Sequence, residues 1–172
     1  GHASVAEAMR DEPLAAFVDS MIKHDIMPML PPVRGLDLDS YRAAVLERFR
    51  NPAIVHRLDQ IAQDGSQKLP YRLGDTLLAN RAAGRLPGHV VAALGCWVAF
   101  AMRQARAGTP IVDPAPALAG LAGDGEAGEI VDRLLAAGIG IPRVVADDPA
   151  LVTAIRTAAT AAARGDWQTL FG

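Results

Sequence analysis

Lys68 and Arg72 are the two side chains of this sequence with the best claim to chemistry. They stand four residues apart, directly after Asp64-Gly65-Ser66. The surrounding stretch, residues 47–72, carries five basic side chains together with His56 and Gln60. If a helix begins after that turn, residues i and i+4 share one face, and an ammonium and a guanidinium project together. What such a pair offers is a grip on negative charge. Cations at a helix start run against the macrodipole, so their presence there points to function. The same pattern also fits a solvated helix start carrying two ordinary surface cations.

The elements that must position this pair follow from turn and cap signals. Asp64-Gly65 marks a tight turn, because glycine accepts positive φ without steric cost. Ser66 is the expected cap of the next helix, and Pro70 is expected in its first turn, where a missing N–H costs nothing. Upstream, Ser4 and Glu7 fit a capping box for a short helix through Met9. Pro13 opens a second helix whose buried face is Leu14, Phe17, Val18, Met21 and Ile22. His24 and Asp25 read as a surface pair, and Pro28 to Pro32 ends this helix. Asp39 or Ser40 caps a helix to about Phe49, with Tyr41, Val45, Leu46 and Phe49 as its apolar stripe. Asn51 opens another that buries Ile54, Leu58 and Ile61.

Downstream, the helix of Lys68 and Arg72 runs through Leu77 and Leu78 to Gly84 and Pro87. Residues 88–107 are apolar nearly all round, as a central core helix is. Cys96 on that helix is expected to be inert packing. Residues 108–125 form a Pro/Gly/Ala-rich loop with a short helical turn at 117–121. A helix over 126–137 buries Ile130, Val131, Leu134 and Leu135. Gly138-Ile139-Gly140 reads as a helix C-cap rather than a dinucleotide loop, since no strand precedes it and Pro142 closes it. Asp147 or Asp148 starts a last long helix that Gly165 ends, and Trp167, Leu170 and Phe171 are expected to dock on the core.

Composition bounds the possibilities. The 172 residues are 51% hydrophobic and only 5% aromatic, with alanine prominent, which favours closely packed helices. An all-α fold follows. The net charge of −2 gives no electrostatic reason to expect nucleic acid. A lone cysteine builds neither an internal disulfide nor a zinc site, so a reducing, cytoplasmic setting is expected. No apolar run reaches the ~20 residues that span a bilayer, so no membrane role is expected.

Taken together, Tyr41, Arg48-Phe49, Asn51-Pro52 and Gln60-Ile61-Ala62-x-Asp64-Gly65-Ser66-x-Lys68-x-Pro70 resemble the C-terminal part of the mannitol dehydrogenase and fructuronate reductase family. These are long-chain, metal-independent polyol and hexuronate oxidoreductases. Ala6–Met9 and Phe17–Met27 are similar to the family's segment just upstream. The resemblance implies a multi-helix C-terminal domain like the helical domain of 6-phosphogluconate-dehydrogenase-like enzymes. On that view residues 1–172 form a single substrate-binding domain, whose partner is an N-terminal Rossmann-type domain absent from this chain. The intact enzyme would use NAD or NADP, and the fragment would bind neither.

The family carries its catalytic lysine, asparagine and histidine as K-x(4)-N-x(2)-H. That whole pattern is absent here, so no catalytic residue is assigned and the chain alone is expected to be inactive. The substrate side can be carried over. Lys68 matches the lysine of the D-G-S-x-K motif, which by resemblance reaches substrate hydroxyls. Gln60 stands where mannitol-type members have arginine. With Arg72, it looks closer to the fructuronate reductase branch, whose substrate carboxylate a guanidinium binds in bidentate fashion. The implied partner is therefore a small sugar acid or polyol. A reading from another class is a free-standing helical interaction or ligand-binding module without enzymatic activity.

Overall fold

The computed structural model describes residues 2–171, which are helical with no strand; one isolated antiparallel bridge joins Ser4 and Arg57. The chain forms two compact units, Gly1–Ala62 and Gln63–Gly172.

The first unit contains α1 (Val5–Ala8), α2 (Glu12–Ser20), α3 (Leu38–Arg50) and α4 (Leu58–Ile61). Ser4 caps α1 as expected, accepting from the Glu7 N–H at 3.3 Å. Pro13 lies in the first turn of α2, which Asp11 caps. The helix then continues as a π turn over Met21–Ile26 and a 3-10 turn over Met27–Met29. That π turn changes which side chains face inward. Asp25, expected on the surface, is only 4% exposed. The cap of α3 is Asp37, which takes the Ser40 N–H at 2.9 Å, rather than Asp39 or Ser40.

The small core of this unit gathers Met9, Ala15 and Leu46, with Val5, Val18, Ile22 and Phe49 packed on it. It draws on the Leu46–Phe49 side of α3, which leaves Tyr41 at 53% exposed instead of buried. Arg42, on the same helix, pairs with Asp19. No helix opens at Asn51. Its side chain accepts the Ala53 N–H at 2.9 Å in a local turn. The helix over this stretch is shortened to α4, and Ile61 is left 49% exposed.

The second unit contains α5 (Gly65–Leu69), α6 (Asp75–Ala82), α7 (Gly88–Arg106), α8 (Leu118–Gly123), α9 (Ala127–Ala137), α10 (Pro149–Arg164) and α11 (Trp167–Phe171). Helix α7 is the central element its composition announces: Val90, Leu94, Val98, Ala99 and Ala101 have no exposure to solvent. Helix α9 buries the four expected residues and is opened by a Glu126–Glu129 capping box. Asp148 caps α10, and Gly165 ends it at φ 72°. Gly84, at φ 73°, closes α6. Trp167 departs from expectation: it is 46% exposed and stacks on Phe171 with ring centroids 5.7 Å apart. The half-buried Cys96 thiol is pushed up from its ordinary pKa by desolvation, which suits inert packing.

Helix α10 approaches α7 closely because small residues face each other. A Cβ placed on Gly95 would lie 2.6 Å from the Ala158 carbonyl carbon and 2.7 Å from the Ala159 nitrogen, which are backbone atoms that cannot step aside. Gly95→Ala is therefore expected to destabilise the unit by about 1–3 kcal/mol through overpacking, despite alanine's better helix propensity. Gly120→Ala in α8, where a Cβ meets nothing within 4 Å, is expected to be neutral or to add up to about 1 kcal/mol. Denaturant titration of the two variants checks the contrast.

Candidate functional site

Lys68 and Arg72 lie on one helical run, and their setting follows from three breaks in regular geometry. The first is the turn. Asp64, not Gly65, takes the positive φ, at 58°. Aspartate tolerates this left-handed conformation better than most residues. Gly65 is required for another reason: a Cβ there would come within 2.4 Å of Trp97 Nε1. The second break is the cap. Ser66 is not the residue before the helix but lies inside its first turn, buried. Its backbone N–H donates to Asp113 at 2.8 Å and its hydroxyl donates to the same carboxylate. Asp64 offers no side-chain cap. A carboxylate from the loop between α7 and α8 does that work instead.

The third break is a π turn over Pro70–Gly74 between α5 and α6. Pro70 lies further in than the first turn, where it cannot donate to Ser66 and its ring crowds the preceding turn. The wider π spacing accommodates it, and the Asp75 N–H reaches back five residues to the Pro70 carbonyl. Gly74 closes this segment against Pro142, whose Cγ would be 2.6 Å from a Cβ at that position.

Within this frame Lys68 is half-buried and Arg72 exposed. The Lys68 ammonium folds back over the turn, donating to the Gln63 carbonyl at 2.8 Å and lying 3.5 Å from the Asp64 carboxylate. Lys68 thus has a carboxylate close by. Asp64 offsets the unfavourable charge at the helix start. Arg72 lies in the π turn, past the first turns, so the macrodipole argument holds for Lys68 alone. Among the described residues Arg72 forms no ion pair and does not join Asp64 or Asp75. Gln60 is exposed on α4, in the other compact unit. None of the described clefts is lined by these three side chains. No group of three His, Cys, Asp or Glu side chains among the described residues could hold a metal ion.

The far end of the run is tied by charge. Arg81 Nε on α6 donates to Asp148 at 2.8 Å, and the same carboxylate caps α10 through the Ala150 and Leu151 N–H groups, both at 3.1 Å. Sequence reading missed Asp113 and this pair because each joins residues far apart in the chain. Gly138 and Gly140 also show what they do. Gly138 is the αL cap of α9, and Gly140, at φ 73°, lies so close to Trp97 that a Cβ would be 2.1 Å from the ring.

In fold, this arrangement is that of a dehydrogenase helical domain. The structure of Pseudomonas fluorescens mannitol 2-dehydrogenase, a ternary complex with NAD and D-mannitol, is similar with a TM-score of 0.87 and 27% sequence identity. The match covers 99% of this chain and 35% of that one. The chain belongs to the mannitol dehydrogenase C-terminal domain family, whose model matches residues 1–162. It is also 42% identical over 98 residues to the altronate oxidoreductase of Escherichia coli O9:H4 (strain HS), covering 56% of this chain and 20% of the relative. The altronate oxidoreductase of Enterobacter sp. (strain 638) is 41% identical over the same share. The matched part is thus a fifth of the length of these curated relatives. No helix among the described residues is long and apolar enough to cross a membrane.

The Arg81–Asp148 pair makes a pH prediction. The Arg81 hydrogen bond, first of the causes, and the capped backbone N–H groups hold the Asp148 pKa below its ordinary 3.8. A depressed carboxylate contributes stability above its unfolded pKa of about 4 and loses it as pH falls through the lower folded value. Asp148→Asn keeps a capping oxygen but removes the charge. Its thermal midpoint is expected to fall below that of the parent at pH 5–7, with the gap closing below about pH 4.

Proposed function

We propose that this chain is the substrate-binding domain of a nicotinamide-dependent oxidoreductase that interconverts a hexuronate or ketose and its reduced partner, with a sugar acid as the preferred class. The carrying observation is the exposed Arg72 guanidinium, without an ion pair among the described residues, one turn from Lys68 on an anchored helix. Support comes from relatives named for altronate, which bears a carboxylate, and from Gln60 standing where mannitol-type members have arginine. Arg72 holds the terminal carboxylate through two parallel hydrogen bonds, and Lys68 serves hydroxyl groups. NAD or NADP supplies hydride chemistry from an N-terminal Rossmann-type domain of the longer protein. The glycines of this chain that could suggest a dinucleotide loop are taken up by a helix cap and by Trp97.

A charge-assisted hydrogen bond contributes about 1.5–3 kcal/mol. In the full-length enzyme, Arg72→Ala is therefore expected to raise KM for a hexuronate at least about tenfold and leave a neutral ketohexose nearly unchanged. Lys68→Ala should weaken both. Equal losses on both substrates from Arg72→Ala would contradict the carboxylate role.

A further inference from the structure

We propose that Asp113, on the loop between α7 and α8, is a positioning residue that sets where the Lys68 ammonium sits and so tunes affinity for the sugar substrate. This rests on the assignment of Lys68 to substrate hydroxyls.

Three hydrogen bonds converge on the one carboxylate. Asp113 takes the Ser66 N–H at 2.8 Å, the Ser66 hydroxyl, and the N–H of Ala115 in its own loop at 2.9 Å. One residue earlier, the Val112 carbonyl takes the Asp64 N–H at 3.0 Å. The loop therefore grips both sides of the Asp64-Gly65 turn. Lys68 is bound to that same turn and to nothing else described, through the Gln63 carbonyl and the Asp64 carboxylate. Its backbone N–H also returns to the Asp64 carbonyl at 2.9 Å. A shift of the turn thus carries the ammonium with it.

The turn has good reason to shift when released. Asp64 sits in the left-handed region, which aspartate tolerates but which still costs it more than a right-handed or extended conformation. The helix has no side-chain cap of its own, so without Asp113 the Ser66 N–H and the buried Ser66 hydroxyl lose their acceptor. Asp113 touches no reacting group in this arrangement. Its influence runs through Ser66 and the turn to Lys68.

The test is a kinetic cycle in the full-length enzyme with Asp113→Asn, Ser66→Ala, Lys68→Ala and the Asp113→Asn/Lys68→Ala double variant. Asp113→Asn is expected to raise KM for the sugar about five- to tenfold while kcat and KM for the nicotinamide cofactor stay within about twofold. Ser66→Ala, which leaves the backbone N–H bond to Asp113 intact, is expected to give a rise of about twofold and guards against a folding failure of the first variant. In the Lys68→Ala background, Asp113→Asn should add nothing. Full additivity, or equal rises in sugar and cofactor KM, would overturn the positioning role while leaving that of Lys68 intact. If Lys68→Ala itself leaves sugar KM unchanged, the assignment of Lys68 falls, and this inference falls with it.

Discussion

The second unit depends on how closely Trp97 is allowed to approach two turns. Its indole sits where a Cβ at Gly65 would lie 2.4 Å from Nε1 and where a Cβ at Gly140 would lie 2.1 Å from the ring. One of those turns launches the helix that carries Lys68 and Arg72. The other follows α9 and leads to Pro142, which packs on Gly74 in the same helical run. A rigid ring on the central helix thus fixes both ends of the space in which the site helix lies. Protein interiors are close-packed and transmit such displacements, so the site is located by core packing as much as by its own residues.

Around that fixed point, polar groups set the finer geometry. The carboxylates of Asp113 and Asp148 each do two jobs, satisfying backbone N–H groups at a helix start while joining segments distant in sequence. Both act on the run from Gly65 to Ala82, one at its beginning and one near its end. Between them the π turn gives way to Pro70 without breaking the run. The site helix is irregular along its length yet tied at several points. That combination allows a cation to be held against its local electrostatic preference.

Much of this architecture was legible in the sequence where the cause is local. Helices α7, α9 and α10 declare themselves by periodic apolar residues and by caps such as Asp148, Gly138 and Gly165. The family motif around Lys68 was legible as a run of residue types at fixed spacing. What could not be read is non-local. Ser66 looks like a helix cap because serine usually is one, yet a carboxylate 47 residues away takes that part. Asp64 adopts the strained backbone while Gly65 yields room to Trp97, although the dipeptide suggests the opposite division. Asp25 and Tyr41 were misplaced for a related reason. A π turn shifts the facing of one, and the small core of the first unit takes a different side of α3 from the one that spacing suggests.

The π turn between α5 and α6 has an evolutionary consequence. A single-turn π bulge amounts to one extra residue within an α-helix, and one residue corresponds to about 100° of rotation around the axis. Loss of one position between Pro70 and Gly74 would leave Lys68 on the turn that fixes it and α6 tied through Arg81 and the buried Leu77, so the change of bearing would fall on the residues of the π turn itself. The exposed Arg72 would then take a new bearing relative to Lys68. A deletion or insertion of one codon here thus re-aims an exposed side chain while leaving the packed core on α7 and α10 in place.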